Sequence, residues 1–177
     1  IDNASDGDIV LLAEGTYSEN IDFNGKNITL QGVNKETTIL DGGGNDAVIR
    51  IESGEALVAI RNLTIKNGVA DLGGGIRARG DRDDVFLNIT IANCIITNNS
   101  STNAGGGIHT YDVVLSLVNT DLISNSTQSL GAGLEMQSTS AFISNCTFSQ
   151  NSSQTGGGIG TRSQSNTQIN NCLFINN

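Results

Sequence analysis

The sequence predicts an all-β fold, a right-handed single-stranded parallel β-helix with about 26 residues per coil. A phrase that begins with asparagine recurs at this constant interval, at Asn93, Asn119, Asn145 and Asn171. Between these phrases a glycine marker, Gly-Gly-Gly-Ile or a close variant, recurs at 105–108, 131–134 and 156–159. Apolar residues alternate in short runs between the markers, which is typical of β-strands. Three such strands per period, joined by bends, describe coils that stack in parallel.

The composition fits a thin solenoid better than a compact globule. The 177 residues include no Trp, no Pro and 22 Gly, and only 4% are aromatic. A solenoid coil contacts only its neighbours, so it needs few large side chains at its centre.

The charge balance excludes nucleic acid as a partner, because the net charge is −9 and no basic patch is present. The acidic, Asn-, Ser- and Thr-rich composition is typical of an extracellular or cell-surface protein. No run of eighteen apolar residues occurs, so the sequence predicts no membrane span. We interpret the chain as a segment of a longer protein.

The chain reads as a single β-helix domain over residues 1–177. Residues 9–61 form irregular first coils, and residues 62–177 form the regular ones. The first complete phrase starts at Asn62, and its distance from Asn93 exceeds the period, so we place the extra length in a charged loop at 79–84. Uncapped ends of such a helix would expose unpaired strands, so end-to-end self-association is an additional hypothesis.

The lead asparagines are expected at tight bends, stacked above one another. Asparagine tolerates the left-handed backbone conformation, and its amide can bond to the same amide one coil away. The sequence therefore predicts a structural ladder of Asn62, Asn93, Asn119, Asn145 and Asn171. A second series, six residues further on and within Asn-x-Ser/Thr sequons, is expected at exposed bends as glycosylation sites, at Asn99, Asn125 and Asn151.

Three cysteines, Cys94, Cys146 and Cys172, occupy the same place in the repeat. Their spacing matches no zinc pattern, so we predict small inward-facing side chains rather than a metal or redox site. A disulfide between Cys146 and Cys172, on adjacent coils, remains an alternative.

Two motifs resemble those of known surface proteins. The Gly-Gly-Gly-Ile marker together with Phe-x-x-Asn, at 148–151 and 174–177, resembles the motifs of polymorphic outer-membrane adhesins and adhesin-like surface proteins. The opening at 7–17 is similar to the first coil of pectate-lyase-like β-helices, which implies that residues 1–8 are the end of an N-terminal cap. The resemblance implies a fold but no single function, because this scaffold hosts lyases, hydrolases, adhesins and spacers.

The strands that begin at the glycine marker carry the candidate binding residues. If Ile76, Ile108, Leu134 and Ile159 point inward, the residues one and three positions later point outward. The sequence thus predicts a ligand-binding face made of Arg77, Arg79, His109, Tyr111, Glu135 and Arg162. If this face is catalytic, the acting groups would be His109, Tyr111, Glu135 and Arg162. A merely solvated polar face is the alternative.

The catalytic constellations of the similar enzymes are missing from the repeat rows. Neither the clustered aspartates of polygalacturonase-like enzymes nor the acidic calcium site of pectate lyases is present there. We therefore predict no cofactor; a calcium ion bound by Asp81, Asp83 and Asp84 is a weaker alternative.

These patterns favour an extracellular, non-catalytic β-helix with a structural or adhesive role as a stalk, adhesin or surface-layer element. Surface glycans or another cell-surface molecule are the expected partners. The competing hypothesis is a polysaccharide-binding module, or a polysaccharide lyase or glycoside hydrolase, that uses the outward face of the Gly-Gly-Gly-Ile strands.

Overall fold

The chain folds into a parallel β-solenoid, shown by a computed structural model that describes residues 1–80 and 86–177. Within these ranges the regular elements are all β-strands. The described residues therefore include no helix that is long and apolar enough to cross a membrane. Each regular coil runs through three sheets, and a fourth, short sheet lies between the second and third in chain order.

Sheets 1 and 2 each contain seven parallel strands. Sheet 1 consists of β1 (Ile9–Leu12), β4 (Thr29–Gly32), β7 (Leu57–Arg61), β11 (Leu87–Ala92), β15 (Val113–Val118), β19 (Ser140–Ser144) and β22 (Asn166–Asn170). Sheet 2 consists of β2 (Gly15–Tyr17), β5 (Thr38–Asp41), β8 (Thr64–Lys66), β12 (Ile95–Thr97), β16 (Asp121–Ile123), β20 (Thr147–Ser149) and β23 (Leu173–Ile175).

Sheet 3 begins at the glycine markers, and the short sheet immediately precedes them. Sheet 3 consists of β3 (Ile21–Asp22), β6 (Ile49–Ile51), β10 (Ile76–Arg79), β14 (Ile108–Tyr111), β18 (Leu134–Gln137) and β21 (Ile159–Arg162). The short sheet consists of β9 (Val69–Leu72), β13 (Ser100–Ala104) and β17 (Ser126–Thr127).

The strand register confirms the predicted all-β solenoid and its period. In sheet 3, Ile108 pairs with Leu134, and Leu134 pairs with Ile159, so one coil takes about 26 residues. Equivalent residues of successive coils therefore stack at the strand spacing of roughly 4.8 Å.

The core is a narrow column of aliphatic side chains from the inner faces of the sheets. Ile49, Ile76, Ile108 and Leu134 follow one another in sheet 3, and all four are fully buried. Alternation sends every second strand residue into this column, which explains how a chain without Trp or Pro forms a continuous core.

The lead asparagines lie at bends, where they adopt the left-handed conformation. Their φ angles are between 48° and 57° for Asn62, Asn93, Asn119, Asn145 and Asn171. Hydrogen bonds between side-chain amides join Asn93 to Asn62 (2.9 Å) and Asn171 to Asn145 (2.6 Å). This series lies on the outside of the solenoid, since Asn93, Asn119, Asn145 and Asn171 are exposed.

The prediction that Asn99, Asn125 and Asn151 lie at exposed bends is wrong, because these side chains are 1%, 0% and 1% exposed. They form an internal ladder instead. The Asn99 and Asn125 amides each donate to the side-chain oxygen of the next asparagine in the series, both at 3.1 Å. Each amide also donates to a backbone carbonyl. Their position inside the solenoid makes them unsuitable as glycan carriers.

The cysteines are free thiols at inward positions. Cys94 and Cys146 are buried and Cys172 is half-buried. Burial raises the pKa of Cys94 to about 12 and that of Cys146 to about 11, so both remain protonated at neutral pH.

Removing one amide from the internal ladder should destabilise the solenoid more than removing an exposed lead asparagine. Asn125→Ala leaves the buried polar groups of Asn99 and Asn151 short of a partner, so we expect the free energy of unfolding to fall by about 3 kcal/mol. Asn119→Ala, the control, loses only a left-handed bend residue and should cost about 1 kcal/mol. Urea denaturation followed by circular dichroism measures both; equal losses would contradict the assignment.

Candidate functional site

Two rows of polar side chains run along the outer face of sheet 3. In the first row, Arg77 pairs with His109, His109 with Glu135, and Glu135 with Gly160. In the second row the residues in register are Arg79, Tyr111, Gln137 and Arg162. The register thus brings together the six residues that the sequence predicts for a ligand-binding face.

A cleft of about 530 Å³ lies over these rows. One wall comes from the outer face of sheet 3 and the other from the segments that precede the glycine markers. The cleft is lined by Leu72, Arg77, Arg79, Asn103, His109, Tyr111, Ser129, Gln137 and Arg162.

The second wall exists because the chain turns back over the strand that it is about to enter. A Cβ on Gly131 (φ +65°) would lie 2.9 Å from the Cβ of Glu135, so glycine alone fits this close approach. In the next coil, a Cβ on Gly160 would lie 2.6 Å from the Cγ of Leu130. The segment around Leu130 and Gly131 therefore packs directly on the first row.

This packing buries two residues that alternation alone predicts to face solvent. His109 is 6% exposed and Glu135 is 0% exposed. Glu135 does not line the cleft, which corrects its predicted role; it is one contact away, behind His109 and Arg162.

The Glu135 carboxyl group contacts two side chains, one at each of its oxygens. Its Oε2 lies 3.2 Å from His109 Nε2, and its Oε1 lies 3.4 Å from Arg162 Nε. Neither contact has the geometry of a hydrogen bond, so both carboxylate oxygens lack a hydrogen-bond partner among the described residues. The buried Nδ1 of His109 lacks one as well. A buried carboxyl group in this condition is costly, and such groups concentrate at functional sites.

The environment moves the two pKa values in opposite directions. Burial raises the pKa of Glu135 from 4.5 to about 7, although the nearby Arg162 opposes this change. Burial, together with the positive charges of Arg77 and Arg162, lowers the pKa of His109 from 6.5 to about 4. Near neutral pH the imidazole is therefore uncharged, while the carboxyl group is poised between its two protonation states.

The arginines of the site differ in how far their charge is neutralised. Arg77 Nε forms an ion pair with Glu52 Oε2 at 2.9 Å. The Arg79 guanidinium lies 5.4 Å from the centre of the Tyr111 ring, a cation–π arrangement. The Arg162 side chain is 44% exposed, although its Nε faces Glu135. Arg79 and Arg162 are thus the residues that present positive charge to the cleft.

Sequence reasoning missed part of the lining. Asn103 and Ser129 occupy equivalent places in successive coils, each two residues before a glycine marker, so the repeat marks them as a pair. What the repeat does not reveal is that this pair faces the outer rows. Gln137 was recognisable from its place in the second row, as the neighbour of Tyr111 in register.

The described residues contain no group of three or more His, Cys, Asp or Glu side chains that could hold a metal ion. The alternative calcium site at Asp81, Asp83 and Asp84 lies outside these residues.

Comparison with known proteins yields one match. A family model described as "Right handed beta helix region" matches residues 14–177. Searches of curated proteins and of solved structures returned no match.

The raised pKa of Glu135 should make the effect of Glu135→Gln on stability depend on pH. The folded protein holds the Glu135 proton to higher pH than the unfolded chain, so this residue reduces the wild-type free energy of unfolding as pH rises from about 4.5 to 7. Glutamine does not titrate, so the Glu135→Gln variant does not show this pH-dependent decrease in the free energy of unfolding. We expect the variant to gain stability relative to wild type over this range, by up to about 3 kcal/mol, since one pKa unit corresponds to about 1.4 kcal/mol.

Urea denaturation at several pH values measures the difference, and exposed Glu36 supplies the matched control, Glu36→Gln. A difference between wild type and Glu135→Gln that does not change with pH would contradict the assignment.

Proposed function

Since the chain belongs to the right-handed β-helix family, a scaffold that serves many functions, we propose that its specific function resides in the cleft on sheet 3. We infer that the protein is an extracellular, non-catalytic β-helix with a structural or adhesive role at a cell surface. In this role the cleft binds an anionic glycan, one that carries uronate or sulfate groups.

The observation that carries this proposal is the concentration of positive charge in one concave place on an acidic protein. The net charge of the chain is −9, yet Arg79 and Arg162 present positive charge to the cleft, and Arg77, which is paired with Glu52, also lines it. Guanidinium groups recognise carboxylates and sulfates through paired N–H donors. An anion is therefore the ligand class that the cleft can distinguish from neutral molecules.

The remaining lining suits a saccharide. Asn103, Ser129 and Gln137 offer uncharged donors and acceptors for hydroxyl groups, and Leu72 offers an apolar contact. Few, convergent polar groups around an apolar element are typical of small-ligand sites. The parallel stacking of coils supports the structural part of the proposal, because it builds one continuous column from a repeated unit.

Burial of the titratable pair favours binding over catalysis. A general acid must reach within hydrogen-bond distance of the bond that it cleaves. The Glu135 oxygens and His109 Nδ1 are buried, so these atoms are withdrawn from a ligand in the cleft.

A second candidate function, a polysaccharide lyase or glycoside hydrolase, is favoured by one observation. Glu135 and His109 have pKa values displaced in opposite directions, as acid and base groups of active sites often have.

Binding to a glycan array tests the proposal. We expect wild type to bind uronate- or sulfate-bearing oligosaccharides and not neutral ones. The double variant Arg79→Gln/Arg162→Gln should bind at least about a hundredfold more weakly, since each of the two lost charged contacts removes roughly 1.5–3 kcal/mol. Arg61→Gln, on the exposed end of β7 in sheet 1, is the matched control and should bind as wild type does.

Two outcomes would contradict a non-catalytic glycan-binding role. If wild type binds no glycan above background, the proposed glycan ligand is wrong. Release of sugar products from a polysaccharide by the purified protein, abolished in His109→Ala, would establish the enzyme instead.

A further inference from the structure

The Arg162 guanidinium stands between a buried carboxyl group of the protein and the open cleft. Its Nε lies 3.4 Å from the buried Glu135 carboxyl group, while the side chain also lines the cleft. A guanidinium that is paired with a carboxylate attracts a second anion less strongly, because the carboxylate repels that anion. The protonation of Glu135 therefore decides how much of the Arg162 charge is available in the cleft.

The contact with His109 allows Glu135 to exist in either protonation state. When Glu135 is protonated, its hydroxyl group can donate to the neutral imidazole, whose Nε2 lies 3.2 Å from Oε2. When Glu135 is ionised, the other imidazole tautomer can donate from Nε2 to the carboxylate. Both states need only a small adjustment of this contact, so neither is blocked by the fold.

We propose that an anionic glycan and a proton bind this site together: protonation of Glu135, with the proton taken from solvent, releases Arg162 from the buried carboxylate and leaves its guanidinium to the ligand. This inference rests on the proposed function, because it concerns the same cleft. It adds that binding is strong at mildly acidic pH and weak at mildly alkaline pH.

The other charges around the pair do not reverse this effect. Arg77 and Arg79 face it from β10, and Asp71 acts on His109 from β9. The arginines remain charged at every relevant pH. From the overlying segment, Ser129, Leu130 and Gly131 contribute no charge. Among the described groups around the pair, Glu135 is therefore the one whose charge changes near neutral pH, in agreement with its raised pKa of about 7.

Thermodynamic linkage makes the coupling reciprocal. If protonation strengthens ligand binding, then ligand binding must raise the proton affinity of Glu135 by the same factor. A bound carboxylate or sulfate contributes in two ways: it draws the Arg162 charge away from Glu135, and its own negative charge disfavours a second carboxylate nearby.

The first experiment needs no ligand and follows the ¹³C-carboxyl resonance of Glu135 through a pH titration. Because Arg162 favours the ionised form, Arg162→Gln should raise the pKa of Glu135 by about one unit relative to wild type. Arg61→Gln should leave it unchanged. The same pKa in wild type and Arg162→Gln would show that the guanidinium and carboxyl group are not coupled, and would overturn the inference.

The second experiment measures binding of an oligogalacturonate and of a heparin-derived oligosaccharide by calorimetry at about pH 5.5 and about pH 8.5, on either side of neutrality. For wild type we expect binding about tenfold weaker at the higher pH, the effect of one pKa unit of coupling. Glu135→Gln, which imitates the protonated state, should bind equally at both pH values. Glu36→Gln should behave as wild type does.

These results separate the two proposals. Binding that is equally strong at both pH values in wild type overturns the proton coupling and leaves the glycan-binding proposal standing. Failure of both oligosaccharides to bind at either pH overturns both. A pH dependence that persists unchanged in Glu135→Gln assigns the coupling to another group and also overturns the inference.

Discussion

In-register stacking of parallel strands is the constraint on which the rest of this structure depends. Each residue lies directly over its equivalent one coil away, so every inward position must carry a side chain that packs against its own counterpart. Aliphatic residues meet this condition through contact alone. A buried polar residue needs a hydrogen-bond partner, and the asparagines find one in their counterparts: the side-chain amides of Asn99, Asn125 and Asn151 each donate to the side-chain oxygen of the next asparagine in the series.

The same stacking places chemically different residues side by side where the repeat is imperfect. In the first outer row of sheet 3, successive coils carry Arg77, His109, Glu135 and Gly160 at the same position. The glycine is what allows Leu130 to pack on this row. A departure from the repeat thus creates both the charge pair and the cover that removes it from water, and the two together displace the pKa values.

The proton-sensitive binding that we propose for the cleft is compatible with a solenoid of stacked strands. The buried asparagines stabilise the coils without involving the side chains of the outer row, while burial of Glu135 lowers the stability of the folded protein near neutral pH. The proposed coupling requires a change of charge at one carboxyl group and no movement of the stacked strands. Control of binding by charge, rather than by movement, is what such a scaffold favours.

The sequence by itself determined the period, the parallel fold and the residues that share a row, because alternation and a repeat of constant length leave a single way to stack the strands. It did not determine which asparagine series lies inside: four of the five left-handed lead asparagines proved exposed, and the predicted glycan carriers proved buried. Nor did it reveal the burial of Glu135 or the position of Asn103 and Ser129 in the lining of the cleft. The register follows from linear spacing, whereas burial depends on the path of the chain between sheets, and only the tertiary structure shows that path turning back over sheet 3.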